Sequence, residues 1–61
     1  DRVASVQILE KYARSNPNYT VRLSAYQGLL LLSDIKETEE IIKSIKDNEK
    51  DERLIAMYKE M

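Results

Sequence analysis

Only Pro17 and Gly28 can break secondary structure in a chain of 61 residues. With so few turn formers and few β-branched runs, a sheet has nowhere to reverse, and the chain is expected to be all-α. The apolar spacing agrees. Ile8, Leu9, Tyr12 and Ala13 fall on one side of a helix over about 2–15, with Gln7, Glu10, Lys11 and Arg14 opposite.

Asn16-Pro17-Asn18 closes that helix. Proline disfavours α geometry at the residue before it but suits the first turn of a new helix. A second helix therefore runs from here to about Ser33, capped by Asn16 or Asn18. Val21, Ala25, Leu29 and Leu32 form one apolar stripe on it; Leu23, Tyr26 and Leu30 form another. A helix apolar on two sides needs cover from two directions, so Leu29 and Leu30 are both expected to be buried. Asp34, with Glu37 three residues on, reads as a capping box for a third helix, and Thr38 is the alternative cap. Ile41, Ile42 and Ile45 make its stripe, extended by Ile35 or Thr38. A fourth helix follows over about 50–60, with Leu54, Met57, Tyr58 and Met61 on one face.

Composition excludes several classes of chemistry. There is no cysteine and no histidine, so no disulfide forms and the commonest zinc ligand and general base are missing. The serines Ser5, Ser15, Ser24, Ser33 and Ser44 have no histidine to activate them. Glu37, Glu39 and Glu40 form a solvated helix face, and Asp47, Glu49, Asp51 and Glu52 are interleaved with Lys46, Lys50 and Arg53. Neither group has the glycine-bent loop of a calcium site. No catalytic, cofactor-binding or metal-ligating residue is therefore expected. The net charge of −1 argues against nucleic acid, and no apolar run approaches the roughly 20 residues that span a bilayer. Positions 1–33 hold four basic and two acidic side chains, positions 34–61 six and nine. Of the tyrosines, Tyr12, Tyr26 and Tyr58 are placed for the core or a groove, and Tyr19 is expected to be the most exposed. The chain starts at Asp1 without an initiator methionine, which suggests a gene product extending upstream.

The second half repeats the first. A shift of 31 lays Arg22 on Arg53, Leu23 on Leu54, Ala25 on Ala56 and Asn16 on Asp47. A shift of 33 lays Ile8 on Ile41, Leu9 on Ile42 and Tyr12 on Ile45, so a shortened second turn is expected. Two helices per unit and a period in the thirties signal stacked units that cover each other's apolar faces.

Asn16-Pro17-Asn18-Tyr19-Thr20-Val21-Arg22, followed by Ala25 and Leu29, resembles the HEAT repeat. That family has Asp-Pro, three variable residues and Val-Arg between its two helices. Only the aspartate is changed here, to Asn16. The second unit keeps Asp47, Arg53 and Ala56 but lacks the proline and valine, and has Glu60 in place of leucine. The resemblance implies a fragment of right-handed α-solenoid over 1–61, built from two stacked antiparallel helix pairs (1–33 and 34–61). It also implies that Arg22 and Arg53 hydrogen-bond within and between units. An arginine gripping a substrate carboxylate is the functional alternative.

Glu49-Lys50-Asp51-Glu52-Arg53-Leu54-Ile55-Ala56-Met57-Tyr58-Lys59 resembles the carboxy-terminal helical region of gluzincin-type bacterial zinc aminopeptidases. That family binds zinc through His-Glu-x-x-His and a later glutamate on another domain, and none of these residues lies here. The resemblance implies a non-catalytic wall or cap over a parent's active site, with zinc only in the parent. The alternative is a protein–protein interaction scaffold. The expected partners are accordingly the rest of a parent chain, or a protein or peptide. Weak self-association of the chain alone is also expected, through Val3, Val6 and Leu9 on the first helix, with Val6→Lys as its disrupting change.

Overall fold

A computed structural model describes residues 1–61. It contains four helices and no strand: α1 (Arg2–Ser15), α2 (Tyr19–Leu31), α3 (Lys36–Asn48) and α4 (Glu52–Glu60). Three of the four begin at a side-chain cap. The Asp1 carboxylate accepts from the Val3 and Ala4 amides, Asn18 from Thr20, and Asp51 from Arg53. Each thereby supplies a partner for amides that the helix leaves unpaired in its first turn. Asn18 is thus the cap of α2, while the Asn16 side chain accepts the Asn18 amide and shapes the turn.

The third cap differs from expectation. The residue at that place is Ile35, which offers no side-chain acceptor. Asp34 is turned away, pairing instead with Arg2 at the start of α1. Thr38 lies within the helix and is fully covered. The Arg2 hydrogen bond also holds the Asp34 carboxyl below its ordinary range. A contact 32 positions away along the chain has displaced a local one.

The core is small. Val6, Ala13, Ala25, Tyr26, Leu29, Ile45, Leu54 and Tyr58 are buried, and Leu9, Leu23, Leu30, Ile41 and Ile42 pack partly against them. α1 and α2 lie along one another and α3 against both; α4 reaches the others chiefly through long side chains. The Tyr26 and Tyr58 rings stack at 3.8 Å with 16° between their planes, joining α4 to α2. At Gly28 an added Cβ would stand 3.1 Å from the Leu9 Cδ1. The missing side chain therefore lets α1 and α2 approach. That approach offsets a helix-propensity cost of about 1 kcal/mol relative to alanine.

The inward strip of α1 is only partly the one expected. Val6, Leu9 and Ala13 turn toward the core, leaving Ile8 57% and Tyr12 48% exposed. Both strips are apolar and lie side by side, but α2 and α3 cover only one of them. Val6 is consequently a core residue, and Val6→Lys would break the fold rather than disturb a surface. Tyr19 also differs from expectation: it is half-buried beneath the Arg53 guanidinium, and Tyr12 is the exposed tyrosine. In α4, Leu54 and Tyr58 are buried as expected, whereas Met57 and Met61 remain open.

Leu29 is fully covered, but Leu30 only partly. Leu29→Ala should cost about 2–5 kcal/mol, enough to unfold so small a domain. Leu30→Ala should cost about half as much, in proportion to the smaller area it withdraws from water. Urea midpoints for the two variants check the order; equal midpoints would contradict the difference in their burial.

Candidate functional site

The chain's densest set of polar contacts lies where the α1–α2 turn meets the α3–α4 turn. The first turn comprises 16–18 and the second 49–51, three residues each. The expected shortening of the second turn is therefore absent. Matching the caps Asn18 and Asp51 requires a shift of 33, which sets Arg22 against Ile55 rather than Arg53. The two arginines do different work.

Arg22 links the turns. Its Nη1 donates to the Asn16 carbonyl at 2.7 Å, at the carboxyl end of α1. Its Nε and Nη2 donate to the two Glu49 oxygens at 3.1 and 3.3 Å. This is a bidentate fork, the geometry for which a planar guanidinium is suited. Glu49 also accepts the Lys50 and Asp51 amides, at 3.1 and 3.0 Å. Its side chain is only 6% exposed and that of Arg22 16%. Asp47, the acid that the HEAT resemblance assigns to this role, takes no part; Glu49, two residues later, replaces it. Composition flagged Glu49 only as one acid in a mixed run, because nothing local distinguishes a buried acid there from a solvated one.

Arg53 stays on its own turn. It donates to both oxygens of Asp51 at 3.1 and 2.8 Å. Its Cζ also lies 3.5 Å from the Tyr19 ring centroid, a cation–π contact that ties α4 to α2. The Arg53 hydrogen bonds pull the Asp51 carboxyl from 3.8 down to about 2. Because the folded value is the lower one, Asp51 favours the folded state above pH 4 and loses that contribution as pH falls toward 2.

Arg14 closes the junction on the far side, donating to Glu10 and, from Nη1, to Ser44 on α3 at 3.0 Å. Between these groups lies an open cleft of about 310 Å³, lined by Ala13, Arg14, Arg22, Ile45, Asn48 and Glu49, with Lys50 and Asp51 at its edge. Each guanidinium and carboxylate in it is already matched to a protein partner. Lys50 is its one cation outside an ion pair. Glu37, Glu39 and Glu40 sit on an exposed helix side, and nowhere do acidic side chains gather in a metal-holding group. The five serines are dispersed, with Ser44 used as an acceptor for Arg14. No helix is long and apolar enough to cross a membrane.

Two buried hydroxyls lack partners: those of Thr38 and Tyr58. Burial, aided by the nearby Glu49 carboxylate, pushes the Tyr58 phenol up to about 12. Burial raises Tyr26 as well.

A second concavity, of about 260 Å³, opens on the other side of α1 and α2, and it is apolar. Leu9, Tyr12, Val21, Ser24 and Ala25 line it. Ile8 of α1 and Leu31 of α2 are also exposed, Leu31 to 83%. The two concavities differ in kind: one is a satisfied polar joint, the other an uncovered apolar surface.

Arg22→Met should strand a buried carboxylate and cost about 3–5 kcal/mol. Adding Glu49→Gln should recover part of that loss, since the amide oxygen still accepts the turn amides without a buried charge. Urea unfolding of both variants checks this; a single variant as stable as the parent would remove the joint from the account. Tyr58→Phe keeps the stacked ring and removes an unpartnered hydroxyl, which costs about 1–3 kcal/mol when buried. Its melting temperature at neutral pH should equal or exceed the parent's. The unfolded phenol ionises near pH 10 but the folded one near 12, so the parent loses stability as pH rises between them. The variant should lose less.

Compared with known proteins, the chain matches no family model, no curated protein and no solved structure.

Proposed function

We propose that the chain is a non-catalytic helical-repeat module: two stacked antiparallel helix pairs of HEAT type that dock against a neighbouring helical unit. The observation that carries this reading is the uncovered apolar side of α1 and α2, opposite a polar cleft in which every charge but that of Lys50 is already paired. A catalytic cleft needs a base, a nucleophile or a metal ligand set free to act. The arginines and acids of the turn junction are engaged with one another instead. Arg22, bonded to Asn16 in its own turn and Glu49 in the next, fits a role within and between stacked units better than a grip on substrate.

A wall or cap over the active site of a larger zinc aminopeptidase is the specific setting proposed for the module. It rests on the likeness of residues 49–59 described above. A protein-binding scaffold of further helix pairs is the alternative. The encoding gene discriminates them: an upstream His-Glu-x-x-His in the same reading frame decides for the peptidase, and additional helix pairs decide for the scaffold.

The pure chain should bind no zinc and hydrolyse no aminoacyl anilide, having neither histidine nor cysteine. Titration calorimetry with zinc at neutral pH and a chromogenic aminopeptidase assay check this. Micromolar zinc affinity or turnover would overturn the non-catalytic reading.

A further inference from the structure

The uncovered side of the first two helices has a composition unlike the rest of the surface. Along α2, Val21, Ser24 and Leu31 recur at i, i+3 and i+10; along α1, Ser5, Ile8 and Tyr12 accompany them. None of these is ionisable at neutral pH, in a chain with 21 charged side chains. Asp1 and Lys11, at the ends and margin of the α1 strip, carry opposite signs. The exposed sides of α3 and α4 are mostly charged, presenting Glu39, Lys43, Lys46, Glu52 and Lys59 around the open Met57 and Met61.

We propose that this face pairs with the same face of a second copy about a two-fold axis. The partner is settled by charge. Placing the face on the α3–α4 side of another copy would bury lysines and glutamates against Ile8 and Leu31, at several kcal/mol per unpaired ion in the worst case. Placing it on itself buries no charge. A two-fold contact is self-complementary, so the groove lined by Tyr12, Val21 and Ser24 receives what it presents. Its small floor residues let the helices of the two copies come close.

Area sets the strength. From their fractional exposures, Ile8, Tyr12, Val21 and Leu31 leave roughly 400 Å² open, so a pair covers roughly 800 Å². That lies among weak, transient contacts rather than in the standard range of about 1,200–2,000 Å². The dimer is accordingly weak. The proposal rests on the docking role assigned to this face above, and names its occupant for the chain alone.

Sedimentation equilibrium of the 61-residue chain from about 10 µM to 1 mM should show a monomer–dimer equilibrium that stops at two copies. Val21→Lys and Tyr12→Lys, both at exposed positions, should shift the midpoint at least about tenfold upward. Their helical circular dichroism at low concentration should match the parent. Lys59→Glu, on the charged side, should leave the equilibrium unchanged. Ser24→Cys should form a symmetric disulfide under mild oxidation at high concentration, and Glu40→Cys should not. A strictly monomeric parent, association that continues past the dimer, persistence in both lysine variants, or failure of Ser24→Cys to cross-link would each overturn the pairing. A strictly monomeric parent would leave the helical-module reading standing. That reading fails instead if the gene encodes neither further helix pairs nor a catalytic domain beside this segment.

Discussion

The fork between Arg22 and Glu49 is the constraint on which the placement of the second two helices depends. Each inter-helix turn has an electrostatic need of its own. The carboxyl end of α1 leaves carbonyls without amide partners, and the approach to α4 leaves amides without acceptors. Glu49 meets the second need through the Lys50 and Asp51 amides, and Arg22 meets the first at the Asn16 carbonyl. The two then bond each other, so neither turn can shift without unpairing a buried ion. Such pairs add little net stability compared with apolar residues of equal volume, because desolvation cancels most of the attraction. What the pair supplies here is position. With the second turn fixed against the first, Leu54 and Tyr58 come into register with Leu29 and Tyr26.

Position matters because the hydrophobic core is thin. Nine residues are buried, one of them Thr38 with an unpartnered hydroxyl, and Tyr58 has a second. Each orphan subtracts on the order of 1–3 kcal/mol from a domain whose total stability is only several. The Arg53 contact over Tyr19 adds about 0.5–1 kcal/mol at so exposed a site, and the surface pair Arg2–Asp34 little more. The eight buried apolar residues therefore carry the stability, with Tyr26, Tyr58, Leu29 and Leu54 the largest fully covered among them, and no disulfide is there to supplement them.

Much of this was legible in the sequence, for local reasons. Four helices, the break at Pro17 and the buried pair Leu54 and Tyr58 follow from period and breakers, which act within a few residues. What was not legible depends on distant partners. Periodicity alone cannot choose between Val6 and the pair Ile8 and Tyr12 on α1, because Leu9 and Ala13 belong to either strip. Asp34 has the spacing of a cap with Glu37, but Arg2 takes it. The matched Arg-Leu-x-Ala segments at Arg22 and Arg53 suggested equivalent roles, whereas equal turn lengths put the true offset two residues away. Glu49 is the clearest case: a glutamate in a charged run becomes the least exposed acid of the ion pairs only because Arg22 lies across from it.

The contrast between the two outer sides of the molecule is an internal control on what the apolar one means. On α3 the chain shows how it builds a solvated helix surface: Lys36, Glu39, Glu40 and Lys43 face water. Such residues propagate a helix as well as leucine does. Nothing in the folding of α1 and α2 therefore requires Ile8, Tyr12 or Leu31 to be apolar, since none of them is in the core. Left open, they add no burial to the isolated fold and increase its tendency to associate. Their stabilising effect is realised only when another surface covers them. At about 25 cal/mol per Å², covering roughly 400 Å² on this side yields about 10 kcal/mol of gross apolar transfer before association costs. That is comparable with the whole stability expected of so small a domain. A chain with this balance gains more from covering that face than from any rearrangement within itself, which is the physical basis of the docking role proposed for the first two helices.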